Sequence, residues 1–136
     1  MSAQSYIDVL MRPDHYGFYP MAEGAIWEFR SCMPLGSTPG LSGIKPDEIR
    51  KLVSDTPTVV CIAGQKCLVL RDELHCAPIY LMDLKTMPDA EGNKYSICVG
   101  KCKTAVVIGK GKKGVTGGQV SNMVGILRSA LCEIGL

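Results

Sequence analysis

Apolar positions change period several times along this chain, and each change marks an element. Near the N-terminus Tyr6, Ile7 and Leu10 recur at helical spacing, which predicts an amphipathic helix over residues 2–11. It should stop before Pro13, because the residue preceding a proline is pushed out of helical space. Residues 12–24 read as turns, unusually aromatic, with His15, Tyr16, Phe18 and Tyr19 around Gly17. A strand is expected near 25–30. The Gly-, Pro- and Ser-rich segment 31–43 is expected to be a loop and the chain's main site of mobility or insertion.

Helical spacing returns over 44–55. Pro46 suits a first helical position, Asp47 and Glu48 favour the positive end of the helix, and Ile49, Leu52 and Val53 form its apolar side. Beyond Pro57 the pattern shortens to strand-like runs at 58–63, 66–72, 78–84, 94–100 and 104–109, with turns near Gly64 and over 88–93. A last helix should begin near Gln119, with Val120, Met123, Val124, Leu127, Leu131 and Ile134 along one face. Strands joined by short turns pair antiparallel, since parallel neighbours need long crossovers. The expected fold is therefore one α+β domain over residues 1–136, a central antiparallel sheet with the N- and C-terminal helices on one face.

Composition adjusts this picture in few places. With 46% hydrophobic and 21% charged residues the 136-residue chain resembles globular proteins, and no uncharged run approaches the ~20 residues of a membrane span. The first residues lack the basic-then-apolar order of a secretion signal, so a cytoplasmic location is expected. Seven cysteines are an awkward number for a closed disulfide framework, and several sit inside apolar strand runs. They read as reduced, mostly buried thiols; a zinc site or an oxidised Cys98–Cys102 pair is not expected.

Charge is unevenly spread. Residues 1–93 carry eight bases against twelve acids, whereas residues 94–136 carry seven bases against Glu133 alone. Such a field steers acidic partners. The glycines of GKGKKG at 109–114 imitate a dinucleotide-binding turn, but no second strand follows and no Ser or Thr succeeds the Gly-Lys pairs, so nucleotide binding is not expected. His75 beside Cys76 has nothing to orient it, and the paired carboxylates fit a helix start and a strand end. Neither an enzyme nor a cofactor is indicated. Only Tyr95 lies near the lysines of 101–113, so a stacking platform for nucleic acid is missing.

Six segments in order, SYIDVLM, GAIWEFR, IKPDEIRKLV, GQKCLVLRD, MDLKT and GKKGVTGGQVSNMV, resemble the profilin family, most closely its animal members. The resemblance implies a monomeric, cytoskeleton-associated protein that binds monomeric actin, proline-rich proteins such as formins, and anionic phosphoinositides. For actin the matching positions are Lys66, Leu68, Leu70, Arg71, Lys85, Val115, Thr116, Gly117, Gly118, Ser121 and Asn122. Gly125 and Ile126 depart from the family's tyrosine and glutamate. For proline-rich ligands Tyr6 and Trp27 match two ring positions, while Ala3, Ala130 and Leu136 stand where the family carries other rings. For phosphoinositides the candidates are Lys66, Arg71, Lys85, Lys110, Lys112 and Lys113. The functional expectation is an actin-monomer binder that regulates filament assembly. The rival is an adaptor for phosphoinositides or acidic surfaces on the same scaffold.

Overall fold

In the computed structural model, which describes residues 2–136, seven antiparallel strands form one sheet with helices on both of its faces. The chain runs α1 (Ala3–Leu10), β1 (Met21–Glu28), β2 (Met33–Ser37), α2 (Pro46–Leu52), β3 (Val59–Ile62), β4 (Gln65–Glu73), β5 (Leu81–Thr86), β6 (Ser96–Lys101), β7 (Ala105–Gly111) and α3 (Gly117–Glu133). The spatial order is β2-β1-β7-β6-β5-β4-β3. Strands β3 to β7 form a meander, and the β1–β2 hairpin joins it by pairing β1 with β7.

Local chemistry explains the element ends. Ser2 caps α1 by accepting the Ser5 N–H. Thr116 and Gln119 cap α3 reciprocally, with Oγ1 accepting the Gln119 N–H at 3.2 Å and Oε1 accepting the Thr116 N–H at 2.9 Å. Between β3 and β4 the turn residues Ala63 and Gly64 both have positive φ, the arrangement whose twist suits a two-residue hairpin. Glu48 of α2 holds that turn, accepting the Ala63 N–H at 3.0 Å and the Gly64 N–H at 2.9 Å.

Two apolar cores lie on opposite faces. On one, Ile7 and Leu10 of α1 and Val120, Met123, Val124, Leu127 and Leu131 of α3 close over Ile26, Cys98, Ala105 and Val107. On the other, Ile49 and Leu52 of α2 pack with Trp27, Val60, Ile62, Met82, Leu84, Val99 and Ile108. Strand alternation sends neighbours such as Ile26 and Trp27 to different cores.

Four expectations need correction. Segment 31–43 holds the edge strand β2 and a single 3-10 turn at Pro39–Leu41, because β1 supplies a partner ladder that local composition cannot reveal. The first strand begins at Met21, earlier than 25, since β7 extends far enough to pair with it. Helix α3 begins two residues before Gln119 because Thr116 provides the cap. Ile134 lies beyond the helix at its C-cap and is exposed.

Candidate protein-binding surface

Helix α3 is narrower than the sheet, and it covers mainly β6 and β7. The same face continues over β5, β4 and β3 without a helix above it. One cross-strand row there runs Val59, Leu68, Lys85 and Ser96, each paired with the next. Leu68 is 41% exposed, and Leu70, in the β4 bulge, is 64% exposed. Lys85 Nζ donates to Ser96 Oγ at 3.3 Å. At the end of this row the backbone of Gly117 sits so close that an added Cβ would lie 3.9 Å from Ser96 Oγ. The strand residues and the start of α3 thus meet at Ser96.

The adjoining row is Arg71, Asp83 and Cys98. Arg71 Nε lies 3.0 Å from Asp83 Oδ2, and its Nη1 lies 3.4 Å from Glu73 Oε1. Asp83 Oδ1 is buried and has no hydrogen-bond partner among the described residues. Burial, aided by the Asp83 carboxylate, pushes the Cys98 thiol far above its ordinary range. Beyond this row Gly117, Gly118 and Asn122 are exposed on the first turns of α3, where Ser121 Oγ donates to Gly118 O at 3.2 Å. Val115 is half-buried against the core beneath that turn. The eleven positions matched for actin therefore line the open half-face and the adjoining start of α3, with Val115 as support.

The two ring positions matched for proline-rich ligands are not brought together. Tyr6 packs against the core under α1 and α3, whereas Trp27 is 4% exposed in the core on the other face. The reason is the alternation of β1, in which Ile26 occupies the face that Tyr6 needs. On the Tyr6 side, Ala3 packs against β2, where a Cβ at Gly36 would meet the Ala3 Cβ at 3.4 Å.

The basic positions also divide. Lys66, Arg71 and Lys85 share the open half-face. Lys110 pairs with Ile97, whose side chain belongs to the opposite core, and its Nζ stands 4.7 Å from the Tyr95 ring centre. Lys112 and Lys113 lie in the turn before α3, with Lys112 Nζ 5.6 Å from the Tyr19 ring centre.

Sequence reasoning missed a basic cleft at the far end of the sheet. A cavity of about 380 Å³ is lined by Arg30, Lys101, Lys103 and Arg128 together with Phe29 and Tyr80. Arg128 stacks on Tyr80 at 4.8 Å, and its Nε donates to Lys101 O at 2.7 Å. Lys101 Nζ lies 3.0 Å from His75 Nδ1. The Lys-Cys-Lys of the β6–β7 turn was a visible signal; Arg30 and Arg128 come from distant segments and left none.

The architecture and the whole length of the chain match known proteins. A family model of the profilins matches residues 1–136. The chain belongs to the profilin family. Profilin-3 of Bos taurus is 35% identical over 89 residues, covering 60% of this chain and 63% of that protein. Profilin-2 of Rattus norvegicus is 35% identical over 57 residues, covering 42% of this chain and 41% of that one. The matched stretches thus span less than two-thirds of either curated relative. Among solved structures, mouse profilin IIa in complex with a double repeat from the FH1 domain of mDia1 superposes with a TM-score of 0.86 at 27% identity, covering 98% of both chains. Human profilin II gives 0.83 at 28% identity, covering 96% of this chain and 98% of that one.

Proposed function

We propose that this profilin is a non-catalytic actin-monomer-binding protein of the cytoplasm that regulates filament assembly. The observation that carries the reading is the open half-face: apolar Leu68 and Leu70 exposed on rigid strands, Lys66 and Lys85 beside them, and the glycine start of α3 adjoining. Exposed apolar side chains grouped on ordered strands mark a docking surface rather than a solvated one. The flanking cations raise the association rate with an acidic protein surface more than they deepen affinity. Occupying one face of the monomer blocks spontaneous nucleation, and a complex that still adds at growing ends delivers monomers to them.

The test is spontaneous assembly of labelled actin monomers with rising amounts of this protein. A dose-dependent longer lag supports the reading; an unchanged lag at large molar excess, with actin from the source organism included, rejects it. Arg71→Glu should abolish the lag. Because Arg71 also holds Asp83 and Glu73, Leu70→Asp serves as a second variant on the same face.

A second reading, an adaptor for anionic phosphoinositides, draws on the cleft formed by Arg30, Lys101, Lys103 and Arg128 rather than on a single lysine cluster. Vesicle co-sedimentation at physiological salt tests it, and loss of binding at that salt reduces it to nonspecific charge. Binding of proline-rich proteins such as formins is the weaker expectation, since Tyr6 and Trp27 face different cores.

A further inference from the structure

The segment between α1 and β1 holds aromatic rings out in water. Tyr16 is 81% exposed and Phe18 66% exposed, and Tyr19 beside them is also exposed. The loop is nevertheless ordered. Asp14 Oδ1 accepts the N–H of Tyr16 at 2.9 Å and of Phe18 at 3.0 Å, while the Asp14 N–H donates to Phe18 O at 2.7 Å. Gly17, at φ +85°, makes the left-handed step that closes this ring of hydrogen bonds. The His15 ring meets Tyr16 edge-on at 5.2 Å. At the far end of the loop, the Lys112 N–H donates to Pro20 O at 2.8 Å, tying the loop to the turn that leads into α3.

This loop borders the start of α3. A depression of about 350 Å³ lies between them, lined by Asp14, His15 and Tyr16 on one side and Thr116, Gly118 and Asn122 on the other. The last three belong to the surface assigned above to actin. A body seated on that part of α3 also meets Tyr16.

We propose that the 14–19 loop is a second contact element for the same actin monomer, with Tyr16 and Phe18 as its anchors. The inference rests on the actin reading and extends it to a loop outside the positions matched for actin. The recognised chemistry is an apolar segment of the actin surface flanked by hydrogen-bonding groups, because the Tyr16 ring lines a depression edged by Asp14, Thr116 and Asn122, and Phe18 stands exposed in the same loop. Because the loop backbone is already fixed by Asp14, only the side-chain freedom of the two rings is lost on binding, which lowers the cost of docking.

The experiment is calorimetric titration of monomeric actin with the wild-type chain, with Tyr16→Ser/Phe18→Ser and with Leu70→Asp. The expected result is at least tenfold weaker binding by the loop variant, the range of a lost aromatic anchor pair. Equal affinity for the loop variant, with binding lost in Leu70→Asp, overturns the inference and leaves the actin reading intact. A wild-type chain that binds no actin overturns both. Should the double variant melt earlier than wild type, Phe18→Ser alone replaces it under the same tenfold criterion. Loop-dependent co-sedimentation with phosphatidylserine vesicles, or a loop-dependent dimer in sedimentation velocity, together with unchanged actin affinity, also overturns the inference.

Discussion

Under α3, β6 and β7 turn Cys98, Ala105 and Val107 toward a helix, and all three are buried. Two strands away, β3 and β4 turn Val59, Cys61 and Leu68 out of the same face, and all three are exposed. The same sheet runs from one region to the other, with its alternation of side chains interrupted at the Leu70 bulge of β4. What differs is the cover. An α-helix is about 10 Å wide and strands are about 4.8 Å apart, so one helix shields roughly two strands. A seven-stranded sheet with two helices on this face leaves a margin open. That margin carries Lys66 and Lys85 among its apolar residues.

The largest expected contrast is in thiol reactivity, where Cys98 under α3 stands against Cys61 on the open margin. Burial pushes Cys67 up to about 11 and Cys102 up to about 12, and Cys98 higher still, so their thiolate fractions near neutral pH are minute. Exposed Cys61 on the open margin should be alkylated by iodoacetamide at pH 8 orders of magnitude faster, as should Cys76 and Cys132, which are exposed elsewhere. Peptide mass spectrometry over time checks this; labelling of Cys98 as fast as Cys61 in the native protein would erase the distinction between the two regions.

Next in size is the cost of opening the covered half. Leu127 is fully buried between α3 and the sheet, and Leu127→Ala should lower stability by about 3 kcal/mol in urea unfolding. Thr116→Ala removes the cap of α3 and should cost about 1 kcal/mol, measured in the same way. Smallest is the effect of Leu70→Asp on the open half. Stability should shift by no more than about 0.5 kcal/mol, because the side chain is mostly in solvent already. The same variant should nevertheless lose the lag in actin assembly. A large loss of stability there would mean that the margin belongs to the core.

How much of this was legible in the chain depends on the distance over which each feature is decided. Helix α2 was readable because Pro46, Asp47, Glu48 and the stripe of Ile49 and Leu52 lie within two turns. The β3–β4 hairpin was readable because its two-residue turn is local. Strand β2 was not, since MPLGS is held by pairing with β1 and has little strand character of its own. The candidate actin surface was found through family motifs, and the structure supplies the reason those segments converge, at Ser96. The basic cleft and the aromatic loop's contact with α3 each join residues about a hundred positions apart, a relation that no window of the sequence displays.

By itself the sequence determined the main periods: most of the residues that turn inward together on α1, α2, α3 and the meander strands, the start of α2 and the β3–β4 turn, and hence an antiparallel sheet with terminal helices. These follow from the chemistry of each residue and its near neighbours. Only the tertiary structure decided which inward faces are covered. Trp27 went to one core and Tyr6 to the other because β1 slots between β2 and β7 in one register. Leu68 stayed exposed because α3 lies over β6 and β7 and reaches no further than the edge of β5. Coverage depends on how wide the sheet is and where the helices come to rest, and those are properties of the packed whole.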